Sequence, residues 1–368
     1  MSERLPAYDI TRSYQWNYDH APEPIVADVP ASPSMWSFCG LTVETPLGVA
    51  AGPLLNGRWV LYYASLGCSV LTYKTVRSVA RECYPQPNLQ PVSVPSLRSA
   101  GEAVSTCDRM DGGWAISFGM PSKPPEVWRE DIRRTRGRMP RNTVLSVSVV
   151  GTERDGGSLD DLAADYAKCA RWAVESGAQV IEANFSCPNV CSTDGQLDRD
   201  PVAAGVVAAE IRNAIDATPL LLKIGFCGDD DLAKRLLKAV APSVTGLAMT
   251  NCIAAIVHGE TGTRLFDGQP RGIGGAAILE TSIEQVRRFR RLAEHLAPDL
   301  FLVGVGGAMS AADIARYRRA GANAVHVATA AMIDPGLALR LRASDAWNGD
   351  RTLGALETVP SSASDRHR

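Results

Sequence analysis

The chain has 368 residues, of which 45% are hydrophobic and 21% are charged, and its formal net charge is −2. This length suits one large barrel or two ordinary domains, and the near-neutral charge without a basic run argues against nucleic acid as a standing partner. No apolar run reaches the roughly 20 residues that a membrane helix needs, and no secretory signal pattern opens the chain.

The nine cysteines are scattered along the chain without a CxxC pair. This usage indicates reduced thiols and a cytoplasmic protein rather than a disulfide framework. Cys187 and Cys191 lie close together in sequence, but no third or fourth ligand stands near them. The sequence therefore predicts no structural zinc, no iron–sulfur cluster and no other metal site.

Residues 1–40 are predicted to form an arm rather than a domain. They are rich in proline, aspartate and aromatic side chains, and they lack a clear period. We expect such a segment to lie either on the body of the protein or on a neighbouring subunit. The second arrangement would make the protein a homo-oligomer, and the sequence does not decide between the two.

An alternation of strands and helices follows the arm. Residues 47–51 are predicted to form a strand that ends at Gly52, and a helix follows it. Residues 69–73 are predicted to form a second strand, which places Lys74 and Thr75 at its tip.

A long segment over residues 77–123 comes next. It carries proline, glycine and serine throughout, and it is too long for an idle connector. We expect an irregular, functional cover over one end of the fold. A basic helix near Pro125–Arg136 then leads to a third strand over residues 144–150.

The next helix and strand carry the most informative stretch of the chain. Ser158 and Asp161 resemble a capping box at the start of the helix, and Gly177 closes it. Residues 181–190 read I-E-A-N-F-S-C-P-N-V, an apolar strand that ends in polar residues around Pro188. Proline stops the strand, so the polar side chains lie at its carboxyl end or on the following loop.

The alternation continues to the end of the ordered chain. Further strands are predicted over residues 220–224, 244–250, 301–305 and 324–328. Further helices are predicted over residues 201–217 and 231–240. Two more helices are predicted to begin at caps formed by Thr281 with Glu284 and by Ser310 with Asp313. Eight strands, each followed by a helix, predict a (β/α)8 barrel over residues 41–345. A Rossmann sheet would carry G-x-G-x-x-G after its first strand, and none is there. Residues 346–368 have the composition of a disordered tail.

In a barrel, the carboxyl ends of all the strands point into one basin. Two carboxamides beside a thiol in the 181–190 stretch suit recognition of a planar imide or amide ring, with the thiol handling a proton. The competing interpretation is a turn rich in asparagine and proline with an inert cysteine. Lys74 and Lys223 close apolar strands, where a lysine is costly unless it meets an anion, a flavin or a substrate carboxylate.

Glycine loops after the late strands predict a phosphate site. Gly275, Gly306, Gly307 and the pair 328–329 follow the sixth, seventh and eighth strands. Backbone N–H groups of such loops turn inward in many barrels and bind an anion.

Several segments at these strand tips, in unbroken order from residue 39 to 341, resemble the class 1 dihydroorotate dehydrogenase family, with some features of the dihydropyrimidine dehydrogenase FMN barrel. The matching segments are N-F-S-C-P-N at 184–189, Y-K-T at 73–75, L-K at 222–223, T-N-C at 250–252, G-I-G-G-A at 272–276 and G-V-G-G at 304–307. The resemblance implies an FMN-binding barrel that oxidises the C5–C6 bond of a dihydropyrimidine, by default dihydroorotate to orotate.

The resemblance also implies residue roles. Cys187 is the base that removes the C5 proton while hydride leaves C6 for flavin N5, and Lys74 is catalytic beside it. The implied substrate-binding residues are Lys74, Ser117, Asn184, Asn189, Asn251 and Cys252. The implied FMN-binding residues are Ala51, Gly52, Lys74, Thr75, Asn184, Lys223, Gly274, Gly275, Gly306, Gly307, Ala328 and Thr329.

One departure from the family concerns the substrate. Ser117 stands where the family has an asparagine, and the surrounding stretch is one residue shorter, with Phe118 as an apolar wall. A hydroxyl offers fewer hydrogen-bonding groups than an amide, so we expect orotate to bind more weakly than in the family. The variant Ser117→Asn is expected to strengthen orotate binding. The alternatives are a dehydrogenase or reductase of uracil or of a modified pyrimidine, and a non-catalytic FMN-binding barrel. The electron acceptor is unknown from the sequence.

Overall fold

The structure, a computed structural model, describes residues 5–32, 34–110, 112–186 and 196–344. The strands in these ranges are β1 (Trp36–Phe38), β2 (Leu41–Val43), β3 (Leu47–Val49), β4 (Val70–Val76), β5 (Leu89–Ser93), β6 (Ala103–Thr106), β7 (Gly113–Ile116), β8 (Val144–Val149), β9 (Val180–Asn184), β10 (Leu220–Lys223), β11 (Gly246–Met249), β12 (Ile253–His258), β13 (Arg271–Gly275), β14 (Phe301–Val305) and β15 (Ala324–Val327). The α-helices are α1 (Tyr14–Asp19), α2 (Gly57–Ser65), α3 (Pro125–Arg136), α4 (Leu159–Glu175), α5 (Pro201–Ala214), α6 (Asp230–Val240), α7 (Leu279–Leu296), α8 (Ala311–Arg319), α9 (Thr329–Ile333) and α10 (Leu337–Arg342).

Eight parallel strands close into a barrel in the order β10-β11-β14-β15-β3-β4-β8-β9. Each of these strands is a short, mostly apolar run that is buried on both faces. The helices that follow the strands cover the outer side of the barrel, as is usual for a parallel sheet. The predicted (β/α)8 barrel is confirmed. Within the described ranges, no helix combines the length and the apolarity that a bilayer crossing requires.

The hairpin β1–β2 packs at the amino-terminal end of the barrel. The Phe38 ring lies edge-on to Phe301 at 5.3 Å and stacks on His326 at 5.6 Å between centroids. Phe38 is fully buried, so the hairpin seals this end with apolar surface. The opposite end, where the strands finish, carries the polar side chains.

The cover is more regular than the sequence suggests, and here the prediction of an irregular segment is wrong. Strands β5, β6 and β7 of the cover join β12 and β13 in a second, five-stranded barrel. Its core is apolar, with Val104 paired to Val257 and Ala115 to Ile273. These strands are short and interrupted by proline and glycine, and their partners lie far away in sequence, so no local pattern reveals them.

Helix starts agree with the sequence in two cases and differ in a third. Ser158 and Asp161 form a complete capping box at α4, and Ser310 caps α8. Helix α7 starts at Leu279 instead of after Thr281. The Thr281 hydroxyl donates to the carbonyl of Leu97 in the cover, so the expected cap is wrong because a tertiary contact uses that side chain.

The described part of the arm lies on its own chain. Trp59 Nε1 donates to the carbonyl of Asn17 at 3.0 Å, and Asn56 Nδ2 donates to that of Tyr18 at 2.7 Å. Tyr8 and Tyr14 are buried, each with an aromatic contact to Phe118 of the cover. The arm thereby backs the cover at the carboxyl end of the barrel. The tail over residues 346–368 lies outside the described residues.

Candidate active site

The strand tips surround a cavity of about 100 Å³ at the carboxyl end of the barrel. Most of the described residues predicted from the sequence line it together: Ala51, Gly52, Lys74, Thr75, Asn184, Lys223, Asn251, Cys252, Ala328 and Thr329. They come from strands far apart in the chain, and only closure of the barrel brings them into contact.

Two lysines are buried against this cavity. Lys74 is 8% exposed near the end of β4, and Lys223 is 6% exposed at the end of β10. The Lys74 Nζ lies 5.1 Å from the centroid of the Phe118 ring. Burying two ammonium groups is costly, so the cavity is suited to a ligand that carries or develops negative charge.

Two amides beside the cavity orient each other. Asn184 Oδ1 accepts hydrogen bonds from the Ser186 backbone N–H at 3.3 Å and from Asn251 Nδ2 at 3.4 Å. Asn251 Nδ2 also donates to the backbone carbonyl of Ser186. Asn184 Nδ2 in turn points to Met120 Sδ at 3.5 Å. The network links β9 to the segment after β11 and to the cover.

The cover supplies an apolar wall that the sequence revealed only at Phe118. Leu89, Trp114, Ile116 and Met120 also line the cavity. Trp114, Ile116 and Phe118 alternate in sequence, and this period of two is the signal that could have identified the wall. The cavity therefore has an apolar wall on the cover side and polar groups on the side of the strand tips, a combination typical of sites for planar ring ligands.

Ser117 is predicted from the sequence to bind substrate, but among the described residues of that set it is the one that does not line the cavity. Its side chain is 1% exposed, and its hydroxyl oxygen accepts from Arg271 Nε at 2.9 Å. Its backbone N–H donates to the carbonyl of Asn88 at 2.8 Å, and Asn88 Nδ2 donates back to its carbonyl at 3.2 Å. Its neighbours Ile116 and Phe118 line the cavity instead.

A second, smaller cavity of about 40 Å³ adjoins the first, and Asn251, Val305 and Thr329 line both. Gly274, Gly275, Gly306 and Gly307 form its wall. Gly275 has φ +97°, and a Cβ there would lie 2.2 Å from the carbonyl oxygen of Gly112. A Cβ on Gly306 would lie 2.4 Å from Ser282 Oγ. These positions require glycine, so bare backbone lines this cavity.

Cys187 and Asn189, the proposed base and one substrate asparagine, lie outside the described residues. The described chain on either side of them is tied to β10. Phe185 N–H donates to the carbonyl of Lys223 at 3.0 Å, and Asp198 accepts from the N–H of Gly225 at 2.7 Å. Burial raises the pKa of the Asp198 carboxyl to about 6, against the opposing effect of the Gly225 bond.

Two ionisable side chains lie in the barrel interior with Lys223. Burial raises the pKa of Glu182, while Lys223 lowers it. Burial, and then Lys223, lower the pKa of His326 to about 3, so its ring is neutral at physiological pH. Neither side chain has a hydrogen-bond partner among the described residues. The His326 ring occupies the space above Gly48, where a Cβ would lie 2.4 Å from it.

A family model described as dihydroorotate dehydrogenase matches residues 35–340. A dihydroorotate dehydrogenase of Dictyostelium discoideum is 28% identical over 365 residues, covering 91% of this chain and 96% of that one. The catalytic subunit of dihydroorotate dehydrogenase B (NAD+) of Desulforudis audaxviator is 24% identical over 310 residues, covering 83% and 89%. The crystal structure of the Eimeria tenella enzyme in complex with ferulenol superimposes with a TM-score of 0.70 at 18% identity, covering 89% and 88%, which shows the shared fold.

Proposed function

The chain belongs to the dihydroorotate dehydrogenase family, and we propose that it oxidises dihydroorotate to orotate at the cavity between the strand tips and the cover. It is an FMN-dependent oxidoreductase acting on a CH–CH group. The single observation that carries the site assignment is the convergence of Lys74, Asn184, Lys223 and Asn251 on one cavity from four different strand ends. Neither uracil-type substrates nor a non-catalytic barrel is favoured by these relatives.

The residues present fit FMN. The glycine-walled cavity offers bare backbone for a phosphate, with Gly274, Gly275, Gly306 and Gly307 as its proposed ligands and Ala328–Thr329 beside them. The larger cavity takes the flavin ring, with Lys223, Ala51, Gly52 and Thr75 as further contacts. Bound FMN supplies the acceptor for the hydride that leaves C6 of the substrate.

The buried lysines stabilise negative charge in the cavity. Lys223 and Lys74 approach it from β10 and β4, and both are almost inaccessible to water. A cation in such a low-dielectric site acts more strongly than one at the surface. Lys74, next to the apolar wall of Phe118, is proposed to contact both the flavin and the substrate carboxylate.

The chain's own proton acceptor is proposed to be Cys187. Oxidation of the C5–C6 bond removes a proton from C5 and a hydride from C6, and the thiolate of Cys187 takes the proton. A thiol has a pKa nearer neutrality than a hydroxyl, which suits this task. Asn251 bonds the carbonyl of Ser186, immediately before Cys187, and so fixes the start of the segment that bears the base.

The pyrimidine is proposed to be held by Asn184, Asn189 and Asn251, with Cys252 beside them. Asn184 and Asn251 are already oriented by each other and by Ser186, so little rotamer freedom is lost when a ring binds. Amide groups offer both donors and acceptors, which match the alternating N–H and C=O edge of the ring.

The test is anaerobic mixing of the purified, FMN-loaded protein with dihydroorotate. We expect loss of the oxidised-flavin absorbance and formation of one orotate per flavin, with dihydrouracil far less effective. A protein that binds FMN but whose flavin is not reduced by dihydroorotate would refute the proposed reaction. A protein that does not bind FMN would refute the cofactor assignment.

A further inference from the structure

Arg77 is a fully buried arginine one residue beyond the end of β4, and the proposed chemistry does not use it. Its Nη1 donates to the carbonyl of Gly151 at 2.9 Å and to Thr152 Oγ1 at 3.2 Å, after β8. Its Nε donates to the carbonyl of Met120 in the cover at 3.3 Å. A guanidinium is expensive to bury, and here its donors join the barrel to the cover.

The backbone of Arg77 holds the same part of the cover. Its N–H donates to Ser122 Oγ at 3.0 Å, and its carbonyl accepts from Trp128 Nε1 at 3.1 Å. One residue therefore grips the cover at Met120 and Ser122. Trp128 is almost completely buried on α3, which makes the anchor rigid.

The segment that Arg77 grips has an uncommon conformation. Gly119 and Met120 have φ values of +72° and +53°, in the left-handed region. This conformation is unfavourable for a non-glycine residue, so Met120 adopts it only because surrounding contacts hold it there. Met120 lines the cavity, and its Sδ lies 3.5 Å from Asn184 Nδ2.

We propose that Arg77 is a positioning residue of the active site, which holds residues 118–121 over the cavity and so places Met120 against Asn184. The inference rests on the proposed function, because it takes this cavity as the pyrimidine site. Arg77 acts through Met120 and does not itself line the cavity. It sets the orientation of the Asn184 amide, and with it the fit of the substrate ring.

The test compares two FMN-loaded variants that each lose a buried arginine. Arg77→Met removes the side-chain hydrogen bonds to Met120, Gly151 and Thr152, which together form the Arg77 clamp. Arg342→Met removes a guanidinium that bonds the carbonyls of Pro30 and Gly67, away from the cavity-lining residues. Orotate is titrated against the oxidised-flavin spectrum, and hydrogen–deuterium exchange is followed at the amides of residues 117–122 without ligand. We expect Arg77→Met to weaken orotate binding about tenfold or more and to speed exchange in that segment. Arg342→Met leaves both unchanged relative to wild type.

The exchange measurement separates this inference from the proposed function. If wild type does not bind orotate, the function fails, while exchange at 117–122 still decides the role of Arg77. Unchanged exchange and unchanged orotate affinity in Arg77→Met would overturn the proposal, as would equal effects in Arg342→Met. If Arg77→Met does not fold, Thr152→Val removes one of the clamp's hydrogen bonds. Thr152→Val is expected to speed hydrogen–deuterium exchange at residues 117–122 more than in helix α3. An exchange rate at 117–122 equal to that of wild type would contradict the role of Arg77.

Discussion

The Nδ2 of Asn251 donates to Oδ1 of Asn184 across 3.4 Å, so the amides at two separate strand ends orient each other. The same Nδ2 group also bonds the backbone carbonyl of Ser186. Asn251 therefore joins one proposed substrate contact to the start of the segment that bears Cys187. Its amide acts as a donor toward both partners, and a group without N–H donors cannot replace it.

Asn251→Asp is expected to disrupt this junction. The new carboxylate would face the Asn184 oxygen and the Ser186 carbonyl, both of them acceptors. We expect kcat/KM for dihydroorotate to fall at least about a hundredfold, since an oriented donor in such a site contributes roughly 3 kcal/mol or more. The rate is measured per bound FMN, because Asn251 also lines the smaller cavity and a carboxylate there can lower the flavin content. Asn323→Asp serves as control, because Asn323 lies away from the cavity and its Oδ1 accepts from Arg290 Nη2 and from the Leu302 N–H, contacts that a carboxylate keeps. It should stay within a few fold of wild type, whereas equal losses in both variants would refute the special role of Asn251.

Gly275→Ala is expected to reduce FMN binding. A Cβ at this position would lie 2.2 Å from the Gly112 carbonyl oxygen, so the wall of the smaller cavity must shift. Gly40→Ala is the control: its φ is also positive, at +85°, but nothing lies within 4 Å of the new Cβ. The ratio of flavin to protein after purification should fall in Gly275→Ala alone. Equal flavin content in the two variants would contradict the assigned phosphate site.

The sequence and the structure lead to different expectations for the Ser117→Asn variant. The resemblance predicts that asparagine strengthens orotate binding. In the structure, the Ser117 hydroxyl faces Arg271, and the larger amide must displace this buried contact. We therefore expect little change in the orotate dissociation constant and a loss of about 1–3 kcal/mol in the free energy of unfolding. Orotate bound about tenfold more tightly by the variant would restore the expectation from the sequence.

His326 predicts a specific pH dependence of stability. Its pKa falls from 6.5 to about 3 on folding, so the unfolded state binds the proton more readily between these values. Its contribution to stability is fully present above about pH 6.5 and is lost as the pH falls toward 3, by up to roughly 5 kcal/mol at 1.4 kcal/mol per pKa unit. Relative to wild type, His326→Gln should become more stable as the pH is lowered. Asp198, whose raised pKa acts in the opposite sense, is common to both proteins and cancels in the difference. A difference in unfolding free energy that does not vary with pH would show that folding does not shift the pKa of His326.

The barrel and most of its strand tips follow from the sequence because their signals are local. Each barrel strand is an apolar run closed by a polar residue or a glycine, as with Lys223 after 220–222. The second barrel does not follow, since pairs such as Val104 with Val257 join residues distant in the chain. The orientation of Ser117 does not follow for the same reason, because its partner Arg271 lies on β13, far away in the chain. Arg77 carries no motif, and only its three-dimensional contacts reveal it.

The most direct test of the account is rapid anaerobic mixing of FMN-loaded wild type and Cys187→Ala with dihydroorotate. In wild type, dihydroorotate should reduce the flavin and leave as orotate. The alanine variant should keep its flavin and still bind orotate, but it should reduce the flavin at least about a hundredfold more slowly, because the C5 proton has no acceptor. Flavin reduction in Cys187→Ala as fast as in wild type would contradict the assigned base, and no reduction of wild-type flavin by dihydroorotate would contradict the reaction itself.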